Sequence, residues 1–163
     1  MRRLTIAAGV AAAALSFGAP GATAKAPDSQ PYDGSFDCRE AGHDFTMKWE
    51  GVEHVAEKDR FDAGGELIGF TLHIRFREVD TNTKTGKTLQ LRGSETENWD
   101  LVKGIRTLTG AVWIGNQPGA GTFLQDTGRI VIDLETGEAI SIAGPHEGFQ
   151  NGVDETVCAA LAS

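Results

Sequence analysis

Apolar and polar side chains alternate with a period of two along most of this chain, and the 3.6-residue period of an amphipathic helix is nearly absent. The clearest case is "FTLHIRFREV". Phe70, Leu72, Ile74 and Phe76 fall on one face, and Thr71, His73, Arg75 and Arg77 on the other. "HDFTMKWEG" repeats the pattern with Phe45, Met47 and Trp49 against Asp44, Thr46, Lys48 and Glu50, and "VEHVAEK" follows as a weaker strand after Gly51. "RFDAGGELIG" reads as a loop with paired glycines and "DTNTKTG" as a turn of strand-breaking residues. "KTLQLRG" then turns Leu89 and Leu91 inward and Thr88, Gln90 and Arg92 outward, which completes a long hairpin. "TENWDLV", "GIRTLTG", "AVWIGN" and "TFLQDTGRIVIDL" continue the series, the last with Ile130, Ile132 and Leu134 on one face. "ETGE" is a compact turn before "AISIAG", and "VDETVCAALA" ends the chain as either a short strand or a helical turn.

About eight short strands with one wet and one apolar face imply antiparallel pairing with a half-buried sheet. Two architectures accommodate them: an up-and-down β-barrel and a two-sheet β-sandwich. The barrel is favoured, because sequential hairpins close it and a bond between the first and last segments would tie the seam.

"QPGAGTFLQDTGR" is the one stretch that suggests phosphate chemistry. A phosphate loop needs a following helix and usually a Lys. Neither is present, so Gly119 and Gly121 are expected in a turn with positive φ. Gly128 is expected at a bulge or bend.

The N-terminus changes the picture of where the chain works. Arg2 and Arg3 precede the apolar run "TIAAGVAAAALSFGAP", and "ATA" at residues 22–24 fits a small-x-small cleavage site. Residues 1–24 therefore read as a Sec signal peptide cleaved near Ala24, and the mature protein as secreted. The run is too short for a transmembrane helix, which needs about 20 apolar residues. Residues 25–37, "KAPDSQPYDGSFD", read as a flexible lead-in, and residues 38–163 as a single barrel domain of a mature chain about 139 residues long. Cleavage removes two of the 15 basic residues and none of the 23 acidic ones, so the net charge moves from −8 to −10. Such a surface repels nucleic acid and anionic membranes. Cys38 and Cys158, near the two ends of this domain, read as one disulfide.

"GAGTFLQDTGRIVIDLETGEAI" followed by "GPHE" resembles the C-terminal half of small secreted actinobacterial proteins with no assigned function. Those chains share the signal peptide, an early cysteine, a glycine-rich turn, an Asp-x-Gly-Arg strand and a cysteine near the end. The G-x-G-x-F run is also similar to that of the allene oxide cyclase and dirigent barrels. That likeness implies an eight-stranded barrel able to hold a small apolar molecule, but carries no catalytic residue over.

Candidate chemistry is sparse. None of the four histidines has metal-ligand spacing, so no metal and no cofactor is expected. Nor is there a G-x-S-x-G motif or a free cysteine nucleophile. Asp126 shares the parity of Ile130 and Ile132 if the strand is unbroken. It would then lie inside, with Arg129 its nearest partner in sequence, whereas a bulge at Gly128 would turn it outward. His146, near a barrel mouth, is the candidate partner of Asp126 in an acid/base pair. Asp126, Arg129 and His146 are thus the candidate ligand-binding residues. The reading is a secreted protein binding a small apolar molecule. The alternatives are an extracellular isomerase or cyclase, and a non-catalytic cell-surface interaction module.

Overall fold

In the computed structural model, which describes residues 28–163, seven antiparallel strands form one sheet in the order of the chain. They are β1 (Asp28–Asp37), β2 (Thr46–Phe61), β3 (Leu67–Asn82), β4 (Thr88–Asp100), β5 (Ile105–Gln117), β6 (Gly121–Asp133) and β7 (Ala139–Ala143). A 3₁₀ turn, Cys38–Ala41, follows β1, and two helices, α1 (Glu147–Asn151) and α2 (Val153–Ala162), end the chain. The expected signal peptide lies outside the described residues. Asp28–Asp37, expected within a flexible lead-in, forms an edge strand instead. Its Pro31 is tolerated there because an edge position need not complete the ladder.

The fold is all-β in its sheet, but that sheet is open. β1 pairs only with β2 and β7 only with β6. The hairpins share a device. Asp62, Asn82, Asp100 and Asp133 each stand at or just past a strand end and accept a backbone amide from the turn. These Asx turns give the polar punctuation seen in the sequence a mechanism. The glycine-rich stretch is the β5–β6 turn, with Gly119 at φ 80° and Gly121 at φ 95°.

Register assigns every side chain to a face. Phe76, Glu78, Asp80 and Asn82 share one face with Met47 and Trp49 of β2, Leu89 and Leu91 of β4, and Leu124 and Asp126 of β6. This face carries the larger core cluster, built from Met47, Phe76, Leu89, Leu91 and Leu124 against Val157 and Leu161 of α2. A helix is about 10 Å across, yet α2 touches β3, β4 and β6. Strands three apart are separated by about 14 Å in a flat sheet, so the sheet curls around the helix and this face is concave. The Cys38–Cys158 disulfide fixes α2 there, with Cα atoms 5.7 Å apart.

Rings lying over bare backbone let strands bend this closely. Trp49 lies across Gly34, Tyr32 across Gly51 and Phe76 across Gly93, and each pair is directly opposed in the register. A methyl at Gly93 would run into both the Phe76 ring and the Val112 carbonyl oxygen.

Two outcomes follow. Removing the disulfide by Cys38→Ala with Cys158→Ala opens a loop with a sequence separation of 120. It should lower stability by up to about 5 kcal/mol on the chain-entropy argument, read from urea unfolding. Gly93→Ala should lower it by about 1–3 kcal/mol. Phe76→Leu in the same chain should recover part of that loss, a coupling a double-mutant cycle measures.

Candidate functional site

Asp126 lies on the concave face with Ile130. The bulge falls on β5, between Ala111 and Trp113, while the β6 residues Asp126, Gly128 and Ile130 keep their alternation. The carboxylate is buried at 1% exposure. One oxygen accepts from the Gly148 amide at 2.9 Å and the other from the Phe149 amide at 2.8 Å. Both oxygens therefore hold the first turn of α1, and a donor on each offsets the cost of burying the carboxylate.

His146 forms a backbone bridge with Asp126, so the fold does bring these two residues together. Its Nε2 lies 3.3 Å from the Ala143 carbonyl oxygen, and its buried Nδ1 has no partner among the described residues. Arg129 points to the opposite, exposed face of the sheet. It is not the partner of Asp126. The end of the concave face around Asp126 is filled by α1 and α2.

Besides Asp126, two pairs of inward acids lie on β3 and β4 of the concave face, and their positions were readable from parity; Glu53, Glu57 and Asp59 of β2 share that face but are less buried. Glu78 and Asp80 continue the alternation of Phe70–Phe76 by two more steps, and Glu95 and Glu97 continue that of Leu89 and Leu91 toward Trp99. The first pair sits beneath α2. Asp80 is 1% exposed, and among the described residues no N–H or O–H donor of another group reaches either of its oxygens. Glu78, two residues back on the same face, is the nearest charge acting on it, and the Tyr32 ring lies across Gly51, the register partner of Glu78. Two carboxylates so placed repel each other when both are ionised. Burial, then the charge of Glu78, pushes Asp80 up to about 8. Burial likewise raises Glu78, and it raises Asp154 of α2, with Glu155 adding to the latter. Burial and then Glu78 hold the Tyr32 hydroxyl above the ordinary phenol range.

The second pair lies beyond the reach of α2. Glu97 is buried and bound by three donors. Trp99 Nε1 reaches one oxygen at 2.8 Å, Arg106 Nε reaches the same oxygen at 3.0 Å, and Arg106 Nη2 binds the other. Arg106 also lies over the Trp99 ring, 4.9 Å from its centroid, and Phe70 stacks on Trp99 with centroids 5.2 Å apart. Glu95 is different. Its Oε2 is buried with no partner among the described residues, and its register neighbours are Ile74 on one side and Gly110 on the other. Gly110 is itself opposite Gly128, so no side chain fills the row beyond Glu95. Burial, then the Glu97 charge, raises Glu95 to about 7, and Arg106 opposes the shift.

Around Glu95 the concave face is apolar and half open. Phe70, Leu72, Ile74 and Ile132 are half-buried, while Leu108 and Ile130 on the same face are buried. Two open surface depressions lie elsewhere. One, of about 630 Å³, is bounded by residues that include Pro31, Glu50 and Arg77. The other, of about 340 Å³, runs past His43, Asn82 and Lys84. Neither is lined by Asp126, His146 or Glu95. Among the described residues no helix is long and apolar enough to cross a membrane. Comparison with protein families, curated proteins and solved structures finds no match.

The inward acids set a pH dependence. A carboxyl raised in the folded state contributes stability that is fully present below its unfolded value. For Asp80 that contribution fades as pH rises from about 4 and is lost above about 8. Glu95 acts the same way, its contribution fading as pH rises from about 4.5 and lost above about 7. Asp37 and Asp44, held low by Arg39 and Lys84, act in the opposite sense but are fully exposed and weigh little. The melting temperature should therefore be higher near pH 5 than near pH 8.5. Asp80→Asn, which mimics the protonated acid, should shrink that difference. An unchanged pH slope in the variant would remove Asp80 from the account.

Proposed function

We propose that this protein binds a small, mainly apolar molecule on the open half of its concave face. The observation that carries the reading is Glu95, a buried carboxyl oxygen without a partner among half-exposed apolar side chains. Leu72, Ile74 and Ile132 would cover the apolar body. Glu95 would take one polar group of the ligand, satisfying an atom that is otherwise costly to bury. Phe70, Trp99 and Arg106 form the wall, and the Glu97–Arg106 pair keeps that wall rigid. Asp126 and His146 have no part in it, because α1 occupies their end.

A second reading, a small isomerase or cyclase, is favoured by the same residue. A carboxyl that titrates near neutrality can both give and take a proton. Binding is preferred, since Asp126, the only other acid considered for catalysis, is committed to backbone amides. The disulfide accords with an extracellular location.

Native mass spectrometry of the secreted protein, followed by titration with an apolar fluorophore, tests the proposal. Trp99 emission should change on binding. Leu72→Asp should weaken the probe at least about tenfold, equivalent to about 1.4 kcal/mol. Asp126→Asn should leave probe affinity alone. Equal affinity in Leu72→Asp would place the probe elsewhere and defeat the reading.

A further inference from the structure

The strand alternation sorts charge by sign. On β2 to β6 the concave face carries the acids described above. The opposite, convex face carries Lys48, Lys58, Arg75, Arg77, Arg92 and Arg129, all exposed. Glu50 is the one acid within those strands on that face, with Asp33 and Asp37 of β1 on the same side and Asp100 and Asp133 at the strand ends. His54 and His73 lie among the cations. Among the described residues none of the six cations is in an ion pair. Arg77 and Arg92 are direct register partners. Like charges so opposed, about 5 Å apart at Cα, are destabilising unless an anion lies between them. In a chain of net charge −8, this concentration of unpaired cations is a feature that stability alone disfavours.

We propose that the convex face is a docking surface for an acidic polysaccharide, a linear chain bearing carboxylate or sulfate groups. The polar residues between the cations include Thr71, Gln90, Ser94 and Thr109, which offer hydrogen bonds to sugar hydroxyls. Among the cations no Phe, Tyr or Trp ring stands at the outward positions of β2 to β6, so the face lacks the large aromatic platforms on which exposed nucleobases stack. Its exposed apolar side chains among the cations are Val52 and Val79, smaller than the Trp, Phe and Leu anchors with which a protein enters a bilayer interface. Cations on one strand face repeat every two residues, about 7 Å, and neighbouring strands are about 4.8 Å apart. That spacing suits a polymer with about one charge per sugar better than a duplex with one per roughly 1.7 Å. The carboxylates on the other side of the sheet leave the patch as the one face to which a polyanion is attracted.

The full secreted chain is tested by calorimetry against polygalacturonate and heparin at about 50 and about 300 mM NaCl. Neutral dextran, duplex DNA and phosphatidylglycerol vesicles run alongside. At least one acidic polysaccharide should bind at low salt and weaken at high salt, and dextran should not bind. Arg75→Gln with Arg77→Gln and Arg92→Gln should weaken it by about tenfold or more. Lys103→Gln, whose lysine pairs with Asp100 away from the patch, should stay within about twofold. Melting of the triple variant at or above the parent temperature shows that its loss is not unfolding, and the matching Arg→Lys chain should retain binding. Absence of binding at low salt, equal binding by the triple variant, or tighter binding of DNA or vesicles would each overturn the proposal.

Discussion

A single covalent link decides which face of this sheet becomes an interior. Cys38 follows directly after the first strand, and Cys158 sits in the last helix. Joining them lays α2 along the concave side, where Val157 and Leu161 meet Met47, Leu89 and Leu124. Without a helix there, a seven-stranded meander would present one apolar face to water. With it, one end of that face is filled and the other stays open. The division between a closed end at Asp126 and an open end at Glu95 follows from where a ten-residue helix stops.

Much of the sheet was legible because period-2 alternation is a local property. The inward placement of Phe76, Leu89, Leu91 and Ile130 needed no knowledge of the partner strands. The disulfide followed from an even cysteine count. Closure was not legible, because it depends on whether β1 and β7 meet, and that is decided by the curl of the whole sheet. β7 has five residues, all exposed, and pairs on one side only. β1 was missed because its Pro, Asp and Ser residues carry the composition of a loop, which an edge strand tolerates.

The candidate site was legible in part. Asp126 had the right parity, but its role lay in contacts with amides 22 and 23 residues away, which no local pattern reveals. Arg129, adjacent in sequence, was the wrong partner because neighbours three apart on a strand face opposite sides. Glu78 was left without a face at the end of its strand and Asp80 was read as the start of a turn, because acidic letters suggest solvent. Their parity with Phe76 said otherwise. Glu95 and Glu97 carried the same signal inside "SETENWD". Counting steps of two past the last apolar residue would have found all four.

The rings laid over bare backbone have a consequence for how this sequence can drift. Tyr32 and Gly51, Trp49 and Gly34, and Phe76 and Gly93 are each one object divided between two strands. Bulk gained on one side must be surrendered on the other in nearly the same step. Descendants of this chain would therefore inherit such positions as linked couples, leaving paired exchanges as their record in any lineage that kept the curl.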